Sequence, residues 1–256
     1  MCLLVFAWQP EADEPLVFAG NRDERHARAT APAGFWKDAP QVLAGRDLEA
    51  GGTWLGVTPA GRFAVITNFR EGLDPPKAQR SRGELPAEFL KGSMPARSYL
   101  DEVRRRAREY GAFSLIFGDR AGLYYLSNRD DRTGPIAPGL HGMSNHKLDT
   151  PWPKVERSKQ RLALLLEQEA VASKTLFRLL NDRDGAEDAE LPDTGIGLEL
   201  ERQVSAPFVV NPVYGTRCST ALRLRADGGL RFAERRFDAT GERVETRYFQ
   251  MADPET

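Results

Sequence analysis

Met1-Cys2-Leu3-Leu4-Val5-Phe6-Ala7-Trp8, Gln9-Pro10-Glu11-Ala12-Asp13-Glu14-Pro15 and Leu16-Val17-Phe18-Ala19-Gly20-Asn21-Arg22-Asp23-Glu24 open the chain, and their reading decides the rest. Two short apolar runs rich in β-formers flank a polar, Pro-bearing spacer. That pattern predicts a hairpin or a pair of neighbouring strands. Antiparallel pairing returns the end of the second run to the start of the first, which sets Asn21, Arg22 and Asp23 beside Cys2.

The position of the cysteine matters chemically. With Met1 removed, Cys2 carries both a thiol and a free α-amine. The amine titrates near ~7.7–8.0 and a thiol near ~8.5, so the amine can accept the thiol proton at neutral pH. Nucleophile and base then share one residue, as in N-terminal threonine enzymes. The bland alternative is a small buried residue, because free cysteine is among the most buried residue types. Asp23 is a candidate to accept a hydrogen bond from that amine, and Arg22 to supply the positive charge that lowers a thiol pKa. The alternative for both is ordinary pairing across a strand end.

Asn21-Arg22-Asp23-Glu24 after a Cys2-led strand resembles the NRDE family, also called the transport and Golgi organisation 2 (TANGO2) family. Three later segments match it in order. They are Thr67-Asn68-Phe69-Arg70, Ser144-Asn145 with Leu148-Asp149-Thr150-Pro151-Trp152-Pro153-Lys154, and Tyr214-Gly215-Thr216-Arg217. That family is similar in turn to N-terminal-nucleophile hydrolases of the bile-salt hydrolase and penicillin V acylase type. The resemblance implies catalytic roles for Cys2, Arg22, Asp23, Asn68, Asn145 and Arg217. Asn68 would present its backbone N–H, and Asn145 its side-chain amide, to an oxyanion. Two preorganised donors are needed there, and losing one costs ~10²–10³-fold in rate. Arg217 would polarise the site from late in the chain. Asn21, Phe69, Arg70, His146 and Tyr214 stand in or beside the same motifs and are candidates for substrate contact. In the hydrolases the arginine precedes the aspartate by three positions; here the two are adjacent, so the role transfers more firmly to Asp23 than to Arg22.

The remaining composition bounds these readings. A chain of 256 residues suits one large domain or two small ones, read here as one over 1–256, and 41% apolar residues suffice for a sizeable core. The balance of 36 basic against 37 acidic residues argues against a general nucleic-acid binder. No apolar run is long enough to span a membrane. The N-terminal run lacks a basic leader and a small-residue cleavage site, so a secretory signal is not expected. Two cysteines, Cys2 and Cys218, predict no disulfide framework and fit a reducing cytoplasm. His26, His141 and His146 are too scattered for a zinc signature, and no metal or resident cofactor is expected. Gly195-Ile196-Gly197 lacks the rest of a dinucleotide fingerprint.

Along the chain, Thr53–Val57 and Arg62–Asn68 read as strands around Thr58-Pro59-Ala60-Gly61, and Phe113–Phe117 pairs with Leu123–Ser127. The tail gives strands near Ser219–Leu224, Leu230–Phe237 and Val244–Phe249. Helices are predicted over Gly83–Lys91, from Ser98 or Asp101 to Tyr110, from Trp152 to about Glu169, and over Lys174–Leu180. The regions from Phe35 to Asp47 and from Thr133 to Gly142, broken by Gly and Pro, read as loops, as do Asp74–Arg82 and the acidic Asp182–Asp193. Trp36, Trp54, Phe35 and Phe69 are candidates for a pocket wall, with core packing favoured for Trp54. Antiparallel pairs with clustered helices predict an α+β fold. The resemblance adds the αββα sandwich of two antiparallel sheets flanked by helices.

Two functions compete. One is a cysteine hydrolase acting on an acyl amide or acyl thioester. The other, which the family resemblance implies, is a non-catalytic protein on the same fold that binds or carries haem or a lipid-like, acyl-CoA-like ligand. A third reading is an α+β domain whose Cys2 is never exposed. The sequence leaves ligand identity and oligomeric state open.

Overall fold

In the computed structural model, which describes residues 2–73 and 78–251, the chain folds as two antiparallel sheets stacked face to face. The strands are β1 (Cys2–Trp8), β2 (Leu16–Arg25), β3 (Thr30–Trp36), β4 (Ala39–Asp47), β5 (Leu55–Val57), β6 (Phe63–Asn68), β7 (Phe113–Asp119), β8 (Gly122–Ser127), β9 (Gly134–Pro135), β10 (Gly139–Met143), β11 (Tyr214–Leu224), β12 (Leu230–Phe237) and β13 (Arg243–Met251). The first sheet runs β10-β1-β2-β11-β12-β13 and the second β3-β4-β5-β6-β7-β8-β9. Helices α1 (Glu84–Lys91) and α2 (Ala96–Arg106) cover the second sheet. Helices α3 (Pro153–Glu167) and α4 (Ser173–Leu180) cover the first. A short α5 (Leu198–Gln203), not anticipated from the sequence, precedes β11. No helix among the described residues is long and apolar enough to cross a membrane.

Strand alternation explains the layering. Leu4, Phe6 and Trp8 of β1 and Leu16 and Phe18 of β2 meet Phe63, Val65 and Ile116 between the sheets. Val5, Ala7, Val17 and Ala19 point the other way, onto Leu162, Leu176 and Leu180 of α3 and α4. Because β1 is covered on both faces, it reads as an unbroken apolar run rather than an alternating one. The outer strand β13 is exposed or half-buried along its whole length.

The predicted αββα sandwich and the β1–β2 pairing are observed, with Cys2 opposite Arg22 and Leu3 opposite Asn21. Two loop expectations are corrected. The region 30–47 forms β3 and β4, whose register shifts twice, between Ala31 and Gly34 and between Phe35 and Trp36. Those irregularities accommodate Pro32 on the edge strand β3 and Pro40 at the start of β4, neither of which can donate to a regular ladder. Likewise, Gly139–Met143 forms β10, the edge partner of β1. Of the loop expected over 74–82, residues 74–77 lie outside the described residues.

Gly45 in β4 has a packing reason. A Cβ there would fall 2.1 Å from the Trp54 ring. Replacing Gly45 by Ala is therefore expected to cost about 1–3 kcal/mol through overpacking. A urea unfolding midpoint matching the wild type would show instead that the Trp54 ring is free to shift.

Candidate active site

Cys2, Arg22, Asp23, Asn68 and Asn145 all line one cavity of about 410 Å³ at an end of the sandwich. Their elements explain the meeting. The β1–β2 register puts Arg22 directly across from Cys2, on the face between the sheets. Asp23, one residue further, belongs to the opposite face of β2 by strand alternation. Asn68 ends β6 in the facing sheet. Asn145 follows β10 at a left-handed φ of 53°, a conformation asparagine tolerates better than most residues.

Asn145 ties these segments together and is 1% exposed. Its Oδ1 accepts a hydrogen bond from the Cys2 nitrogen at 2.8 Å. Its Nδ2 donates to the Asn68 carbonyl at 2.9 Å and carries a second N–H besides. Asp23 is buried, and its Oδ1 accepts from Thr216 Oγ1 at 2.7 Å. Arg22 is buried, lies 4.4 Å above the Trp54 ring and reaches Glu24 at 3.7 Å. Trp54, expected to serve the core, is therefore also a cavity wall.

Burial pushes the Cys2 thiol up, and the Asp23 charge adds to the rise. A backbone hydrogen bond from Asp23 and the Arg22 guanidinium act in the other direction. Burial also raises the Asp23 carboxyl, opposed by Lys154, Thr216 and Arg22. The thiol at rest is therefore protonated near neutral pH and needs a base.

The other sequence candidates are placed differently. The Arg217 guanidinium donates to the carbonyls of Arg25, His26 and Arg28 at 2.9, 3.1 and 3.2 Å, and it does not line the cavity. A register shift between Thr216 and Cys218 leaves Arg217 as the extra residue in its strand. Bulges re-aim side chains in this way. Asn21 is buried, donating to the Leu180 and Pro207 carbonyls and accepting from Ser219 Oγ. Tyr214 donates to the Asp23 backbone carbonyl at 2.9 Å. Phe69 lies against the His146 ring at 4.5 Å, and His146 against Trp152 at 5.4 Å. Arg70 is paired with the buried Glu201 at 2.8 Å and sits over Trp152. These five residues brace the segments that carry the site and do not line the cavity.

The sequence reading assigned no role to Lys154, Arg28, Arg80 or Arg82. Lys154 is buried at the start of α3, its Nζ donating to the Val204 carbonyl at 2.8 Å. Burial pulls its pKa down to about 8 against the attraction of Asp23. Its place in the Trp152-Pro153-Lys154 segment was the available signal. Arg80 and Arg82 lay in a stretch whose composition reads as wet surface. Among the described residues no group of three His, Cys, Asp or Glu side chains is placed to hold a metal ion. None of the three histidines lines the cavity.

The family model described as Transport and Golgi organisation 2 matches residues 1–239. The Transport and Golgi organization protein 2 homolog of Bos taurus is 36% identical over 263 residues, covering 92% of this chain and 92% of that protein. The Mus musculus homolog is 34% identical over 273 residues, covering 98% and 99%. A solved mutant of a conjugated bile acid hydrolase from Clostridium perfringens superposes with a TM-score of 0.52 at 8% identity, covering 98% of this chain and 92% of that one. That last likeness is one of fold.

Lys154 gives the site a pH signature. With a folded pKa of about 8 against an ordinary ~10.4, the unfolded chain binds more protons between those values. The burial penalty is present in full below pH 8, where Lys154 is charged in both states. It is relieved as pH rises toward 10.4, so stability increases with pH across that window. Urea unfolding at pH 7.5 and 9.5 is expected to show the wild type gaining on Lys154→Met by up to about 1.4 kcal/mol per pH unit. Parallel pH dependences in the two proteins would mean that Lys154 titrates like a surface lysine.

Proposed function

We propose that this chain, which belongs to the Transport and Golgi organisation 2 family, is a cysteine hydrolase cleaving an acyl amide or acyl thioester, with Cys2 as its N-terminal nucleophile. One observation carries the reading: Cys2, Asp23, Asn68 and Asn145 come from separate segments, yet all line one cavity. The Cys2 nitrogen, which becomes the α-amine when Met1 is removed, is held 2.8 Å from Asn145 Oδ1.

The chemistry follows from these groups. The α-amine takes the thiol proton, and the sulfur attacks the carbonyl carbon, forming a C–S bond. The carbonyl electron pair moves to oxygen, where the second N–H of Asn145 and the Asn68 backbone stabilise it. Collapse breaks the C–N or C–S bond of the substrate, and the ammonium returns its proton to the departing amine or thiol. Water then attacks the acyl-Cys2 thioester, with the amine accepting its proton. The acid leaves and the thiol is regenerated. A thiol that burial keeps protonated suits this scheme, because the base acts only as the bond forms. The Asp23 carboxylate holds and orients the transient ammonium, and Lys154 behind it favours the charged form of Asp23.

Intact mass should show a mature chain beginning at Cys2. Against a panel of acyl amides and acyl thioesters, Cys2→Ala should be inactive and Asn145→Ala slower by ~10²–10³-fold in kcat, the usual cost of one oxyanion donor. Equal turnover by wild type and Cys2→Ala would exclude the hydrolase. Haem or acyl-CoA binding without turnover would transfer the cavity to a ligand carrier.

A further inference from the structure

The cavity walls carry more positive charge than the chemistry at Cys2 uses. Arg22, Arg25, Arg28, Arg80 and Arg82 all line the cavity, against three carboxylates, those of Asp23, Glu24 and Asp47. Most of these cations are already engaged. Arg28 pairs with Asp47 at 2.7 Å and Glu49 at 3.1 Å. Arg80 pairs with Glu84, Glu88 and Glu109 at 2.8, 3.1 and 3.2 Å. Arg22 reaches Glu24 and stacks on Trp54. Arg25 is exposed.

Arg82 differs. It is half-buried, and among the described residues no carboxylate lies within ion-pair distance of it. Its Nη1 donates to the Ala112 carbonyl at 3.0 Å, beside the bare Cα of Gly111. A guanidinium has five donors, so most of this fork is left for something else. Burial disfavours its charged form, with Glu24 opposing only from beyond ion-pair distance, and a bound anion offsets that cost.

The backbone that carries Arg82 is fixed. Thr53 N–H donates to the Gly83 carbonyl at 3.1 Å, and a Cβ on Gly52 would fall 2.4 Å from that same oxygen. Leu85 N–H donates to the Arg82 carbonyl at 3.1 Å as α1 begins. The guanidinium is thus presented from a pinned turn, which limits the ordering cost of binding.

We infer that Arg82 is the seat of a negatively charged group on the substrate, a carboxylate or a phosphoryl group, held in the same cavity as the Cys2 sulfur. This specifies the substrate class and rests on the reading of Cys2 as the reacting group. A planar fork with several free N–H groups suits either oxyanion, since both accept bidentate hydrogen bonds.

The test uses Cys2 itself and requires no hydrolysis. Cys2 is alkylated with iodoacetate, which is anionic, or with iodoacetamide, which is neutral, and the sites are mapped by mass spectrometry. The buried Cys218 is scored separately. The iodoacetate-to-iodoacetamide rate ratio should fall about fivefold in Arg82→Gln, the scale of one charge interaction across a solvated cavity. Arg82→Lys should recover most of it. In the wild type, inorganic phosphate or glutarate at constant ionic strength should slow iodoacetate modification, and whichever protects better identifies phosphoryl or carboxylate as the preferred group. An unchanged ratio in a folded Arg82→Gln protein overturns the assignment. If that variant does not fold, absence of protection by both anions in the wild type overturns it. An inactive hydrolase with a charge-dependent ratio would leave the anion seat standing, while an active one with an unchanged ratio would remove only the seat.

Discussion

The cross-strand register of β1, β2 and β11 governs everything else in this molecule. It sets Cys2, Arg22 and Cys218 in one row across three strands, with Arg22 in the middle. The same register sets Asp23 against Thr216 on the reverse face. Slipping β2 by one residue would turn Arg22 toward the helices and Asp23 toward the other sheet, because side chains alternate with period two. The row would then have no guanidinium beside the sulfur. The packing of Phe18 and Leu16 against Phe63 and Val65 on one face, and of Val17 and Ala19 against α4 on the other, prevents that slip. Apolar burial on both faces thus specifies where the polar end of the strand points.

The extra residue in β11 lets one strand serve two neighbours. Thr216 stays opposite Asp23 and Cys218 stays opposite Arg22 because Arg217 is squeezed out of the ladder between them. Its long side chain is then free to hold the three carbonyls of the turn that follows β2. That turn ends with Arg28 and so shapes the cavity rim. Arg217 therefore influences the cavity through backbone geometry and does not line it.

Burial and charge work against each other around the sulfur. Burial favours the neutral thiol and the neutral carboxyl, while Arg22 and Lys154 favour the charged forms of Cys2 and Asp23, respectively. Lys154 is itself strained in charge by its burial, which draws its pKa to about 8. On the outer wall Arg28 and Arg80 are paired with carboxylates, so much of their charge is neutralised locally.

From the sequence alone came the proposed nucleophile, its strand partner and the segments that surround it. Each is a local matter: a cysteine heading an apolar run, a polar quartet ending the next, asparagines closing strands or turns. Strands that read as apolar runs were legible because hydrophobic patterning is local, while β3, β4 and β10 were hidden by Pro and Gly that bulges and edge positions absorb. Only the folded chain decided which cations face the cavity. Arg82 and Lys154 look like ordinary surface lysines and arginines in one dimension; one is half-buried and the other fully so because distant backbone, at Thr53, Ala112 and Val204, closes over them. Charge in a protein is given meaning by what excludes water from it, and that exclusion is a property of long-range packing.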